Sequence, residues 1–150
     1  MSFKITGDIE LAATLRRLGS DMQDAVDKGV FVTAHEVRTT AIKSIQSQSP
    51  GKMVSRSRQG GGGTYAHIAA SAGNAPNTDN GDLVRSIAVE KIEEAHYTVG
   101  SNFEYSAWLE MGTSKMLPRP WLEPALRANI NNLRDNIVKT ANLAINKASK

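Results

Sequence analysis

Residues 20–47, SDMQDAVDKGVFVTAHEVRTTAIKSIQS, decide the fold. Apolar or small side chains recur at Met22, Ala25, Val26, Gly29, Val30, Thr33, Val37, Ala41 and Ile45, with charged and polar residues between them. Steps of three and four place them on one side of a helix, so the spacing predicts a long amphipathic helix over about 20–47. Ser20 with Gln23 has the capping-box pattern, and Asp21 and Asp24 suit the positive end of a helix. Ser49-Pro50-Gly51 stops it. A helix this long with one apolar side needs a partner to cover that side, and the flanking sequence is read for one.

Upstream, Phe3 and Ile5 alternate with Lys4 and Thr6, which predicts a short strand at 2–6. Asp8 caps a helix carrying Leu11, Leu15 and Leu18, and Gly19 reads as its stop. Downstream, Leu83, Val84, Ile87 and Val89 lead into a strand at about 85–92. Glu93-Glu94-Ala95-His96 turns the chain, and Tyr97, Val99 and Ser101 alternate along an antiparallel partner. Asn102 caps a short helix from Phe103 to Glu110, closed by Gly112. Met116-Leu117-Pro118-Arg119-Pro120 is extended, because each proline disfavours a helical residue before it. The last helix starts near Trp121 with Pro124 in its first turn, where the missing N–H has no helical partner. Its predicted buried stripe is Leu122, Leu126, Ile130, Leu133, Ile137, Ala141 and Ala144. The fold class is α+β: a small antiparallel β-sheet packed with a long N-terminal and a long C-terminal helix.

Residues 49–81 differ from the rest, since seven of the twelve glycines lie there. Structureless connections beyond ~12–15 residues are uncommon in compact domains. The reading is one domain over 1–150 with a flexible, extended glycine-rich arm at about 50–80. One hundred and fifty residues suffice for one core without staples. No cysteine is present, which excludes disulfides, thiol nucleophiles and thiolate metal sites. No apolar run approaches the ~20 residues that span a membrane, and the first eight residues lack the apolar stretch of a secretory signal.

The net charge is +3 and unevenly spread. Residues 49–80 are net +2, residues 81–118 net −3 and residues 119–150 net +4. Lys52, Arg56 and Arg58 on the arm could touch phosphates, yet only Tyr65 is near enough to interleave as a stacking aromatic. A basic nucleic-acid-binding protein is therefore the alternative reading, and a steep salt dependence of DNA affinity is its signature. His35, His67 and His96 are scattered, with Thr39 where a second zinc histidine would follow His35-Glu36. Gly60-Gly61-Gly62-Gly63 lacks the Gly-Lys-Ser/Thr of a phosphate loop, and no serine stands in a Gly-x-Ser-x-Gly elbow. These residues support no enzyme, cofactor or metal site.

Two stretches carry a resemblance. One runs from Gly73 through Pro76 to Asn80-Gly81-Asp82-Leu83-Val84-Arg85-Ser86-Ile87. The other runs from Tyr105-Ser106-Ala107-Trp108-Leu109-Glu110-Met111-Gly112-Thr113 to Arg119-Pro120-Trp121-Leu122-Glu123-Pro124-Ala125-Leu126. Together they resemble a family of small tail-component proteins from long-tailed bacteriophages and prophages. That family's pattern has Thr-Gly where this chain has Asn80-Gly81, Tyr-Ala where it has Tyr105-Ser106, and Phe where it has Trp121. The order of elements matches over most of the chain, least at 50–72.

The resemblance implies a structural virion protein of the neck or upper tail: a tail-completion, tail-terminator or head–tail joining protein, not an enzyme. It implies assembly with itself as a cyclic homo-oligomer, hexameric or dodecameric, between the head connector or adaptor and the tail tube. Nonspecific contact with packaged DNA would go with such a ring; a membrane would not. Gly112 and Leu109 read as scaffold. Glu110, Arg119 and Trp121 read as interface candidates, since Trp and Arg are enriched at interfaces, and Arg119 also as a partner for Glu110. Arg56, Arg58 and Tyr65 on the arm complete the set.

Overall fold

A computed structural model describes residues 9–58 and 60–148, and the strand expected at 2–6 lies outside them. Helix α1 (Ile9–Gln46) has 38 residues and is about 57 Å long. It runs straight through Gly19 and Ser20, where the sequence suggested a stop and a new start. The reason is visible in the pattern: Leu15, Leu18, Met22 and Ala25 continue one stripe across the glycine. A mid-helix glycine costs only about 1 kcal/mol against alanine.

Residues 51–70 form a hairpin where an arm without regular structure was expected. Strand β1 (Gly51–Ser57) pairs antiparallel with β2 (Thr64–Ala70), from Gly51 opposite Ala70 to Ser57 opposite Thr64. Lys52, Ser55 and Arg56 hide the apolar alternation that would mark a strand. A short helix α2 (Asp82–Ser86) holds Leu83 and leads into β3 (Ile87–Glu93), which pairs with β4 (His96–Ser101). The two hairpins remain separate two-stranded sheets. Helix α3 (Glu104–Met111) ends at Gly112, whose φ of 77° is the left-handed exit that glycine permits. The final helical region is two pieces, α4 (Glu123–Asn129) and α5 (Asn132–Ala148). Pro124 sits in the first turn of α4 as expected. The asparagines at 129, 131 and 132 favour an interruption, since their side chains compete for backbone partners.

The core lies at the C-terminal end of α1. Val37, Ala41 and Ile45 pack with Leu83, Ile87, Trp121 and Ala125. The N-terminal part of α1 is covered by α5, and this contact is polar and close. A Cβ on Gly29 would sit 2.6 Å from Ile137 Cγ1 and 2.7 Å from its Cα. Beside that approach, Asn136 Nδ2 donates to Thr33 Oγ1 and Glu36 Oε2, each at 3.1 Å. Thr140 Oγ1 donates to Ala25 O at 2.6 Å, and Asn129 Nδ2 donates to Thr40 Oγ1 at 2.9 Å. Leu126 and Ile130, expected in the buried stripe, are each 47% exposed. Leu133, Ile137, Ala141 and Ala144 of that stripe are half-buried, and the asparagine and threonine ladder lies beside Ile137 on the inward side.

The other flank of α1 carries β3–β4. Asp27 accepts hydrogen bonds from Ala95 N–H (2.8 Å), Lys91 Nζ (2.8 Å) and the Tyr97 hydroxyl (2.9 Å). The Lys91 hydrogen bond, followed by that from Ala95, lowers the Asp27 carboxyl from 3.8 to about 2. Phe31 packs edge-on against Tyr97 at 5.6 Å between ring centres.

Two predictions follow from these contacts. Gly29→Ala should destabilise by about 1–2 kcal/mol in urea unfolding, because backbone crowding exceeds the helix-propensity gain. Gly19→Ala, with nothing within 4 Å of the added methyl, should stabilise by about 0.5–1 kcal/mol. Equal signs for the two would refute the close approach. Separately, a carboxylate whose folded value lies below its unfolded one stabilises above the unfolded value and loses that contribution as pH falls through the folded one. Wild-type stability should therefore drop between about pH 4 and pH 2 more steeply than that of Asp27→Asn, as read from melting temperatures across that window.

Candidate assembly site

Two clusters gather the candidate residues. The first is the junction between α3 and α4. After Gly112 the chain makes a tight loop, Thr113 N–H bonding Met116 O at 2.7 Å, and returns along α3 with Arg119 N–H on Leu109 O at 2.7 Å. Glu110 then faces the start of α4. Its carboxylate accepts from the backbone N–H of Trp121 (2.8 Å), Leu122 (3.0 Å) and Glu123 (2.8 Å). These are first-turn donors that a helix leaves without intrahelical partners, at its positive end. Glu110 is thus a cap supplied from another helix.

Trp121 is 3% exposed and fills the core beside Val37 and Ala41, with its Nε1 directed to Ser106 O at 3.4 Å. Arg119 does not reach for Glu110. Its Nε donates to Ala70 O at 2.6 Å, tying the extended segment to the end of β2. Gly73 N–H adds a bond to Pro118 O at 2.9 Å.

The second cluster latches the β1–β2 hairpin. Asp79 accepts from Arg56 Nη1 at 2.7 Å and from the Tyr65 hydroxyl at 2.5 Å, and His67 Nδ1 lies 3.7 Å away. The bond to Asp79 pushes the Tyr65 hydroxyl above its usual range, so it stays protonated as a donor. Asn77 accepts from Ser49 N–H at 2.6 Å and donates to Ser49 O and Ile68 O, both at 2.9 Å. Arg58 is exposed at the start of the glycine turn, where its backbone N–H bonds Gly63 O.

A cleft of about 320 Å³ joins the clusters, running between the hairpin base, residues 76–83 and α3. Arg56, Asp79, Tyr105 and Arg119 line it. Burial pushes the Tyr105 hydroxyl upward. The structure therefore brings Arg56 and Tyr65 together on Asp79 and sets Arg119 in the adjoining cleft. Glu110 and Trp121 lie behind it, under α4, and Arg58 stands apart at the turn. Asp79 and Asn77 were missed in the sequence. Their run, Asn74-Ala75-Pro76-Asn77-Thr78-Asp79, reads as turn chemistry, and only the hairpin register reveals what they hold. Among the described residues no group of three or more His, Asp or Glu side chains is placed to hold a metal ion. No described helix is long and apolar enough to cross a membrane.

Residues 9–112, from the start of α1 through the hairpins to the exit of α3, match the family described as "Bacteriophage HK97-gp10, putative tail-component". The chain belongs to this family. No curated protein and no solved structure matches it. The match covers the hairpin latch with Arg56, Arg58 and Tyr65, together with Glu110 and Gly112. It stops before Arg119, Trp121 and the helices α4 and α5. This phage tail component thus shares its helix and hairpin frame with the family.

Glu110→Ala should cost about 1–2 kcal/mol in urea unfolding, the range for losing a helix cap. A loss below about 0.3 kcal/mol would mean that water caps α4 equally well.

Proposed function

We propose that the chain is a structural subunit of the phage neck or upper tail, acting in tail completion, tail termination or head–tail joining. Copies close into a hexameric or dodecameric ring between the head connector and the tail tube, and assembly takes place in the bacterial cytoplasm. The chain acts by assembly, without catalysis. Family membership supports the tail assignment.

The observation that carries the joining role is the β1–β2 hairpin. It is held along one edge by Asn77 and Asp79, and β1 is exposed almost throughout, with Met53 at 68%. A two-stranded hairpin is marginal by itself and gains most from a further strand or a packed face. Docking on a neighbour would supply that, and would make joining sequential. Arg58 stands exposed at the open turn, whereas Tyr65 is held with Arg56 on Asp79 and would act by fixing the hairpin. Glu110, Arg119 and Trp121 would act from beneath, by fixing the segment that carries the hairpin base. Arg56 is already neutralised by Asp79, which weakens the nucleic-acid alternative.

Electron microscopy of lysates from a phage lacking this gene tests the reading. Filled heads lying apart from tails of normal length place the protein at the head–tail joint; overlong tails place it at termination. Intact infectious particles would overturn the structural role. A chain lacking residues 52–69, with its ends rejoined, should stay folded yet fail to restore joining, and full restoration would remove the hairpin from the mechanism.

A further inference from the structure

The three layers of the protein leave two unpartnered faces that point in opposite directions. On α1, Asp27, Phe31 and Arg38 meet the β3–β4 hairpin. Ala25, Gly29, Thr33 and Glu36 meet α5. At about 100° per residue the two sets lie roughly half a turn apart. The outer face of the hairpin and the outer face of α5 therefore look away from each other.

Each outer face has a definite character. On the hairpin, Ala88 pairs with Gly100 and Glu90 with Thr98. These four help to line a shallow depression of about 320 Å³, and a Cβ at Gly100 would meet nothing within 4 Å. On α5, Arg134, Val138, Ala141 and Ile145 follow in steps of four, three and four, opposite the Asn136–Thr140 ladder. Val138 is 48% and Ile145 47% exposed, and Ala141 is half-buried at the edge of this side, so two branched apolar side chains of the helix face outward. The two faces carry opposite charges, Glu90 on the hairpin and Arg134 on the helix. Glu90 and Arg134 are both exposed, and neither is in an ion pair among the described residues.

We propose that the outer face of β3–β4 on one copy receives the Arg134–Val138–Ala141–Ile145 face of α5 from the next copy, with Arg134 paired to Glu90. This rests on the ring reading and names its contact. The small residues Ala88 and Gly100 give Val138 a seat at the close spacing a helix on a sheet requires. Because the two faces differ and point apart, each copy presents one of each. The contact is heterologous and propagates head to tail until the rotation closes. All of α5 lies beyond the residues that match the family.

The test is charge exchange on the purified full chain, read by sedimentation, with melting curves to check the fold. Glu90→Arg and Arg134→Glu should each weaken self-association by about tenfold or more, as expected when like charges meet across an interface. The double exchange should restore it to within about threefold of wild type. Both residues are exposed, so the melting temperatures of all variants should stay near wild type. Single variants that associate like wild type, or a double variant no better than the singles, would overturn this contact and leave the ring reading standing. A wild-type chain that stays monomeric at about 100 µM would overturn both. Association that stops at a symmetric dimer would overturn the head-to-tail contact.

Discussion

The approach of α1 and α5 at Gly29 and Ile137 is the constraint on which the arrangement depends. The missing side chain at Gly29 lets Ile137 and its backbone come close to α1, and small polar side chains fill the seam around it. Thr33, Asn136 and Thr140 fill the seam, and each finds a hydrogen-bond partner across it. No described buried side-chain nitrogen or oxygen lacks a partner. Such bonds contribute about 0.5–1.5 kcal/mol each, while leaving one unmade costs more, so the ladder fixes register as much as it stabilises. Leu133, Ile137, Ala141 and Ala144 are half-buried, while Val138 and Ile145 remain exposed.

The same logic explains why the apolar core is small and displaced to one end of α1. Trp121 supplies most of its bulk where Val37, Ala41 and Ile45 leave space, and it is held there by the cap that Glu110 places on α4. Arg119 fastens the intervening segment to Ala70, at the end of β2. A few residues between Gly112 and Glu123 thus connect the hairpin, α3, the core and α4. Prolines at positions 118, 120 and 124 limit the conformations available to that connection in the unfolded chain as well as in the folded one, while Gly112 permits its positive-φ entry.

Much of this was legible in the sequence. The stripe from Met22 to Ile45, the alternation in β3 and β4, the glycine exit at 112 and the tolerated Pro124 each rest on a local rule, and each holds. The failures share a cause: they depended on what a segment packs against. Gly19 looked like a stop because its neighbours suit a cap, but a continuous stripe outweighs one glycine. The β1–β2 hairpin was hidden because β1 is exposed almost throughout, so no apolar alternation is required of it, and β2 is covered mainly by polar contacts to Asn77 and Asp79. Its anchors, Asn77 and Asp79, sit in what reads as turn sequence. In α4–α5 the apolar period holds in part: Leu122, Leu133, Ile137, Ala141 and Ala144 are half-buried, while Leu126 and Ile130, near the break between the two helices, are exposed. The polar residues Asn129, Asn136 and Thr140, which the period did not mark, share the inward side. The candidate residues divide in the same way. Arg56 and Tyr65 converge on one acceptor that the sequence did not mark, whereas Glu110 and Trp121 turn out to hold a helix start from within.

The chain keeps Leu126, Ile130 and Ile145 about half-exposed on the last two helices, beside hairpins that each leave one side uncovered. At roughly 25 cal/mol per Å² of apolar surface, covering even part of these faces outweighs the few tenths of a kcal/mol that separate alternative polar pairings. In the proposed head-to-tail contact, association would be favoured by area and directed by the Glu90–Arg134 pair. The separate β1–β2 hairpin is latched on one side by Asp79 and Asn77, and its β1 strand stays exposed almost throughout, so it would be free for a different contact. On that proposal a subunit could meet its own kind along one direction and another protein along a second, as a joint between two assemblies requires.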